Sequence, residues 1–352
     1  MKSKERPTTS LAEGNATIRD VATASGLSTA TVSRVLSGAD SVSPETARRV
    51  LAQVDALGYT MNRVARSLKT RSTHMVGVIA PELASDFFML LAESMENALS
   101  AHGYSLIVCS SRESEAAEGE RLRLLGERLV DGVVVIPSTG SGAALVRARS
   151  TARSCAPIVL VDRFVAGLGA DSVLVDNEGG AYDATKALVA EGHRRIGFVG
   201  GDLSVSTARE RYEGWRRAMR ESGLAEESRF VSFSGLHVDS GYEAMRTMRS
   251  YADAPDAYFI VNAYTHLGAT NYLVSEEPPA RSAAVAFAAF DETPYAPLLR
   301  FCRYSVSQPV AEIGERAASI LLKRMEGGLG TRPVHQRLKT TLHRHDTHFA
   351  KL

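Results

Sequence analysis

Cysteine is scarce: Cys109, Cys155 and Cys302 are the only three in 352 residues. An odd number with no Cys-x-x-Cys or Cys/His spacing argues against a disulfide framework or a four-ligand metal site, and fits free thiols in a reducing compartment. Long apolar runs are missing as well, none approaching the ~18 residues of a membrane span. The stretch Met1 to Asn15 is polar and lacks the apolar centre of a signal peptide. A cytoplasmic protein with a disordered tail over residues 1–15 is therefore expected. Phosphate-cradling glycine loops are also lacking, since Gly197-Phe198-Val199-Gly200-Gly201-Asp202 does not have GxGxxG spacing and no P-loop or nucleophile elbow occurs. His343, His345, Asp346 and His348 stand close together but have no second ligand pair to close a site. No enzyme, no cofactor and no metal are expected. Tryptophan occurs once, as Trp215, on a helical face that reads as core.

Net charge is nearly absent, at +1, but it is unevenly placed: residues 1–73 hold 11 Lys/Arg against 6 Asp/Glu, and the rest 30 against 34. A basic head on a slightly acidic body suits a polyanionic partner for the head alone. Within the head, Thr17 and Asp20 form a Thr-x-x-Asp capping box, and Ile18, Val21 and Ala22 recur at helical spacing behind them. Ser25-Gly26 permits a tight turn. Ser28 can cap a second helix with Val32, Val35 and Leu36 inside and Thr29, Ala30, Ser33 and Arg34 outside. Ser43-Pro44 opens a third helix with an apolar stripe of Ala47, Val50, Leu51, Val54 and Leu57, stopped by Gly58. Two short helices about a glycine turn describe a helix-turn-helix, whose small hydroxylated outer row and single arginine suit a major groove.

From Met75 the pattern changes to short β-branched runs alternating with amphipathic stretches. Strands are predicted at Val76–Ile79, Ser105–Val108, Val133–Ile136, Ile158–Val161, Val173–Val175, Ile196–Val199, Phe230–Phe233, Ala257–Val261 and Ala284–Phe290, with helices between them. Repeated strand-helix units specify parallel sheets covered on both faces, and ligands in such sheets bind beyond the carboxyl ends of the strands. Polar residues stand at those positions: Asp162 and Arg163 after Val161, Asn262 after Val261 and Asp291 after Phe290.

The run Ser28-Thr29-Ala30-Thr31-Val32-Ser33-Arg34-Val35-Leu36, then Val42-Ser43, Gly58-Tyr59 and Asn62-Arg63-Val64-Ala65-Arg66-Ser67-Leu68-Lys69, resembles the lactose-repressor/galactose-repressor (LacI/GalR) family of bacterial transcription factors. The resemblance implies an all-α helix-turn-helix headpiece (16–60) and a hinge helix or linker (61–73). An α/β two-lobed core like the periplasmic sugar-binding proteins follows (74–352), with an N-lobe of about 74–174 and 307–331 and a C-lobe of about 175–306 and 332–352. It implies DNA contact by Ser28, Thr29, Ala30, Thr31, Ser33, Arg34, Ser43, Tyr59, Asn62, Ala65, Leu68 and Lys69, with Leu68 pushed between the central base pairs of the operator. Effector contact is implied for Phe87, Phe88, Asp162, Arg163, Arg211, Asn262 and Asp291. The expected protein is a repressor acting as a homodimer, with a tetramer as the alternative, on pseudo-palindromic double-stranded DNA. Its effector would be sugar-like, or in the minority case a purine or nucleoside. The rival is a small-molecule binding protein without a transcriptional role. Two departures concern the effector: Ala263 replaces the acid that often follows the asparagine, and Glu292 replaces the second acid after Asp291.

Overall fold

The computed structural model describes residues 16–36, 42–59, 72–138, 141–151, 156–292 and 301–345. The predicted contacts Asn62, Ala65, Leu68 and Lys69 lie outside them. The chain divides into two compact units, Met1–Thr73 and His74–Leu352, each built around its own apolar interior.

In the first unit, helix α1 (Ile18–Ser25) begins where the Asp20 carboxylate accepts from the Thr17 backbone N–H at 2.8 Å and its hydroxyl at 2.7 Å. It ends at Gly26, whose φ of +64° costs a residue without a Cβ nothing. Helix α2 (Thr29–Leu36) is capped by Ser28, which accepts from Thr31 N–H at 3.1 Å, and α3 (Pro44–Ala56) by Ser43, which accepts from Thr46 N–H at 3.3 Å. Val21, Ala22, Val32 and Val50 form the interior, with Ile18, Leu27, Val35, Leu36, Val54 and Tyr59 packed around them. Three members of the stripe predicted for α3 are not in it: Ala47 is half-buried outside it, and Leu51 is 48% and Leu57 40% exposed. Only the line through Val50 and Val54 meets the other two helices; Leu51 is turned about 100° from Val50, and Leu57 lies past the helix end.

The second unit holds two six-stranded sheets. The first runs β11 (His335–Leu338), β5 (Asp171–Val175), β4 (Ile158–Val161), β3 (Gly132–Val135), β1 (Met75–Ala80), β2 (Ser105–Ser110), all parallel. The second runs β12 (Thr341–Arg344), β10 (Cys302–Ser307), β9 (Ala286–Phe290), β8 (Ala257–Ile260), β6 (Ile196–Val199), β7 (Val231–Ser232), with only β12 antiparallel.

Period-two alternation sends the strand residues to two interiors. In the first sheet Val76, Val78, Val159 and Val161 meet α4 (Asp86–Ser100) and α11 (Val310–Met325) through Leu91, Met95, Ile313 and Leu321. Ile79, Val133, Ile158 and Leu160 on the other face meet Leu122 and Leu125 of α5 (Glu115–Glu127) and Leu145 of α6 (Ala143–Thr151). The second sheet repeats the plan. Phe198, Phe259 and Phe290 pack on α7 (Asn177–Ala190) and α8 (Ser206–Glu221), where Trp215 is 1% exposed; Tyr258, Ile260 and Phe287 pack under α9 (Val238–Arg249) and α10 (Ala263–Ser275). With both faces of their central strands apolar, both sheets are sandwiched between helices.

The chain passes between the sheets three times, at Asp176, at Gln308-Pro309 and at Lys339-Thr340. The third crossing corrects a predicted boundary. Residues from 332 were expected in the second lobe, but β11 pairs with β5 of the first, Gln336 opposite Val173. It is anchored there by Asp171, whose carboxylate accepts from Val334 N–H at 2.7 Å and from two nitrogens of Arg324. The first lobe therefore extends to Leu338. Strand β10 was not predicted at all, because Arg303, Ser305 and Ser307 break its apolar run.

Candidate functional site

The headpiece turns a narrow polar row outward: Thr29, Ala30 and Arg34 are exposed and Ser33 half-buried. Ser28 and Thr31 share a hydroxyl–hydroxyl bond of 2.9 Å, and Ser43 bonds Thr46 the same way at 2.9 Å. These hydroxyls hold the N-termini of α2 and α3, ends whose free N–H groups and positive dipole favour a phosphate oxygen. Tyr59 is half-buried, its N–H donating to Val54 C=O at 2.9 Å. Three small or hydroxylated side chains, Thr29, Ala30 and Ser33, precede one guanidinium, so the surface is shallow.

In the second unit the carboxyl ends of both sheets open onto a cavity of ≈ 450 Å³. All seven predicted effector residues line it: Phe87, Phe88, Asp162, Arg163, Arg211, Asn262 and Asp291. Asp162 follows β4 and Asp291 follows β9, equivalent strands in the two sheet orders, and both have left-handed backbone, φ +64° and +67°. Such a conformation costs a non-glycine residue on the order of 1–3 kcal/mol, and it turns each carboxylate off its strand toward the space between the lobes.

Arg211, on α8, is 5% exposed. Its Nε donates to Asn177 Oδ1 at 2.8 Å and its Nη1 to Val261 C=O at 2.7 Å; Asp291 Oδ2 stands 3.9 Å away, and the guanidinium lies 3.6 Å above the Phe290 ring. Burial lowers its pKa and the two aspartates raise it, but a guanidinium stays charged throughout. Arg163 gives both Nη atoms to Glu113 at 2.9 Å and also bonds Pro137 C=O and Ser138 C=O, while its Nε is buried without a hydrogen-bond partner. Asn262 is more occupied than its strand-end position implies: Oδ1 caps α10 through Thr265 N–H at 2.8 Å, and Nδ2 donates to Leu236 C=O at 2.9 Å. Phe87 and Phe88 meet edge to face at 5.4 Å, and both pack against the first interior while lining the cavity.

Several lining residues were not anticipated. Glu113 lies three residues past β2 and Gln308 at the end of the unpredicted β10; Gln308 Nε2 donates to Asp291 Oδ1 at 2.6 Å. Tyr264 reaches from α10 across to Ala84 C=O in the first lobe at 2.9 Å. Three further bonds join the lobes, Phe164 N–H to Ser206 Oγ at 2.9 Å and the two Arg337 Nη atoms to Glu210 Oε2 and Oε1 at 2.8 and 3.0 Å. His343 and His345 are engaged by Ser307 and Ser305, at 2.7 and 2.8 Å; Asp346 and His348 lie outside the described residues.

Burial pushes Asp162 up to about 6, against the pull of Arg163 and Arg211 and with the help of Asp291 and Glu113. The folded protein thus holds a proton that the unfolded chain has already released, so Asp162 costs stability as pH rises from about 4 through 6. Asp162→Asn removes that cost. The body is expected to gain about 1–3 kcal/mol at pH 7.5 and nothing at pH 4, where the folded carboxyl is protonated and the unfolded one nearly half so; thermal melts at the two pH values check this. Glu118, buried behind Ser138 and pushed up to about 7 by its burial, contributes a slope of the same sign, which cancels when parent and Asp162→Asn are compared at one pH.

Two family descriptions match the chain: bacterial regulatory proteins of the lacI family over residues 17–62, and the periplasmic binding proteins and sugar binding domain of the LacI family over residues 73–285. Among curated proteins, the HTH-type transcriptional repressor PurR of Haemophilus influenzae (strain PittEE) is 32% identical over 317 residues, covering 88% of this chain and 91% of that one. Catabolite control protein A of Priestia megaterium is 31% identical over 313 residues, covering 88% and 93%. Among solved structures, a transcriptional regulator CelR–cellobiose complex aligns with TM-score 0.67 at 29% identity over 94% of this chain and 98% of that one. The lac repressor dimer bound to operator and the anti-inducer ONPF shares the fold, with TM-score 0.83 at 23% identity over 95% and 99%.

Proposed function

This chain belongs to the LacI family of bacterial regulatory proteins, and from that premise we propose a repressor that acts in the cytoplasm on a pseudo-palindromic operator as a homodimer. A small molecule in the inter-lobe cavity sets its affinity for that operator. The observation that carries this reading is the pairing, on one chain, of a groove-sized polar helix face with a polar-walled cavity between two sheets. A binding receptor without a transcriptional role has no use for the first.

Each headpiece places α2 in a major groove, with Ser28, Thr29, Ala30, Thr31 and Ser33 along phosphates and base edges and Arg34 on a base. Ser43, Tyr59 and Asn62 position phosphate. Residues 61–73 form the hinge, in which Ala65, Leu68 and Lys69 face the minor groove at the dyad. Exposed apolar side chains on the body, among them Leu83, Met89 and Val274, offer surface for a second copy to cover.

The two lobes are joined by three crossings and by a small set of hydrogen bonds across the cleft, an arrangement open to hinge-type closure. A ligand that prefers one lobe arrangement by ~1–3 kcal/mol changes the spacing of the two headpieces through the dimer, and so changes operator affinity by the same amount. Release on ligand binding is the favoured sign.

Selection of binding sites from random DNA, followed by anisotropy titration, tests the reading. Two mirrored half-sites and two chains per duplex are expected; no preference over random DNA at physiological salt would refute it. On the selected site, Arg34→Ala is expected to cost about 1–3 kcal/mol and to relax preference at one base pair per half-site, whereas a loss uniform across sequences means phosphate contact. Leu68→Ala is expected to weaken the selected site far more than random DNA, because unstacking at the dyad occurs only in the specific complex. Equal losses on both would remove Leu68 from the dyad.

A further inference from the structure

Taking the cavity as the effector site proposed above, we propose that it selects a donor-rich polyol bearing no anionic group, and that an amino sugar is the best-matched class. The first ground is charge. Six acids line the cavity, Glu82, Asp86, Glu113, Asp162, Asp291 and Glu292, against two arginines.

The second ground is that Arg163 is not available to grip an anion and Arg211 is only partly so. Capture of a phosphate or carboxylate needs a guanidinium edge with two N–H groups to give. Arg163 has committed both Nη atoms to Glu113, with Nη1 also on the carbonyls of Pro137 and Ser138. Arg211 has its Nε on Asn177, its Nη1 on Val261 C=O and its face on the Phe290 ring, which leaves Nη2 as its one nitrogen without a hydrogen bond, with Asp291 3.9 Å from Nη1. The two positive charges serve to hold the walls.

The third ground is what the walls leave unpaired. Three buried lining atoms have no hydrogen-bond partner: Arg163 Nε, which stands 3.8 Å from Asp162 Oδ2, and the two oxygens Asp162 Oδ1 and Gln308 Oε1. Both are acceptors, and they stand on different sides of the cleft: Asp162 past β4 of the first sheet, Gln308 on Asp291 past β9 of the second. Leaving a buried acceptor unmade is costly, and a ligand that presents a donor to each recovers that cost only when both lobes close on it. Hydroxyls meet the requirement, and an ammonium meets it with charge as well, facing Asp162 in an acidic field. A phosphate or carboxylate offers only acceptors and adds a like charge.

The test is isothermal titration of the full-length protein with matched sets: glucosamine, glucose, glucuronate and glucose 6-phosphate, then the galactose and mannose counterparts. In the stereochemical series that binds, the amino and neutral members are expected to bind about 100-fold tighter than the anionic ones, or more, since like-charge juxtaposition in a buried site is strongly unfavourable. Asp162→Asn is expected to erase the preference of amino over neutral. Gln308→Met, which removes an acceptor and no charge, is expected to weaken both alike. An anionic member binding as tightly as its neutral counterpart overturns the proposal, as does an amino preference unchanged in Asp162→Asn, or silence from every series.

Operator affinity measured beside each titration separates this proposal from the one it rests on. A polyol that binds in the predicted charge order without altering operator affinity refutes the regulatory reading and leaves the ligand class. An anion that binds and does alter it refutes the ligand class and leaves the regulatory reading.

Discussion

Arg211→Ala is expected to weaken the ligand response by about 100-fold in ligand concentration or more, while leaving operator affinity in the absence of ligand within a few-fold of the parent. The reason is the number of groups that this one guanidinium organises. It holds the Val261 carbonyl at the end of β8, the Asn177 amide at the start of α7 and the Phe290 ring at the end of β9. Asn177 in turn donates to Glu210 Oε2 at 3.2 Å, and Glu210 accepts from Arg337 of the first lobe. The same residue thus shapes one wall of the cavity and anchors a chain of bonds that crosses to the other lobe.

Losing it leaves a buried amide oxygen and a buried carbonyl unmet, at about 1–3 kcal/mol each, while the cost of burying the charge itself is relieved. The body should therefore fold with a lowered melting temperature. Arg211→Lys separates wall from charge: a single ammonium cannot replace the guanidinium fork, so melting should recover further than ligand response. A normal response in Arg211→Ala would remove this residue from the site. The headpiece interior holds none of these groups, which is why basal operator affinity is a fair control.

The strands with β-branched apolar runs were legible from sequence to the residue, as in Ile158–Val161 and Ile196–Val199, because a strand buried on both faces leaves no other reading for such a run. Two strands of mixed polarity were not, although the more apolar edge strands β2 and β7 were. Cys302–Ser307 and His335–Leu338 mix polar with apolar residues, and their place is set by partners distant in sequence, Phe287 to Phe290 and Ser172 to Val175. The site followed the same division. Asp162, Arg163, Asn262 and Asp291 were legible because they stand directly past visible strands. Gln308 was hidden with its strand, and Glu113 by a loop whose φ values of +53° at Arg112 and Glu113 turn its side chain back toward Arg163. That Asn262 is largely used as a helix cap is a matter of side-chain partners, which no spacing rule supplies.

Val32→Asp is the complementary experiment, expected to reduce operator binding to the non-specific level while ligand affinity of the body stays unchanged. Val32 is fully buried among Val21, Ala22 and Val50, and those four side chains are the whole buried apolar interior of the described headpiece. A module this small holds only a few kcal/mol in reserve, and an unpaired carboxylate placed there costs several kcal/mol, either as buried charge or as a proton taken up against its natural pKa. The apolar side chains packed around that position offer nothing to offset it. The body has four apolar interiors of its own and needs none of these contacts. Two melting transitions in the parent should thus become one, with the surviving transition at the parent's temperature. Val32→Ala gives the graded control, at about 1–2 kcal/mol for the methyl groups removed, enough to weaken the operator complex measurably without unfolding the head. Retention of operator affinity within about tenfold by Val32→Asp would mean that recognition does not depend on the folded three-helix unit, and the assignment of α2 to the groove would fall with it.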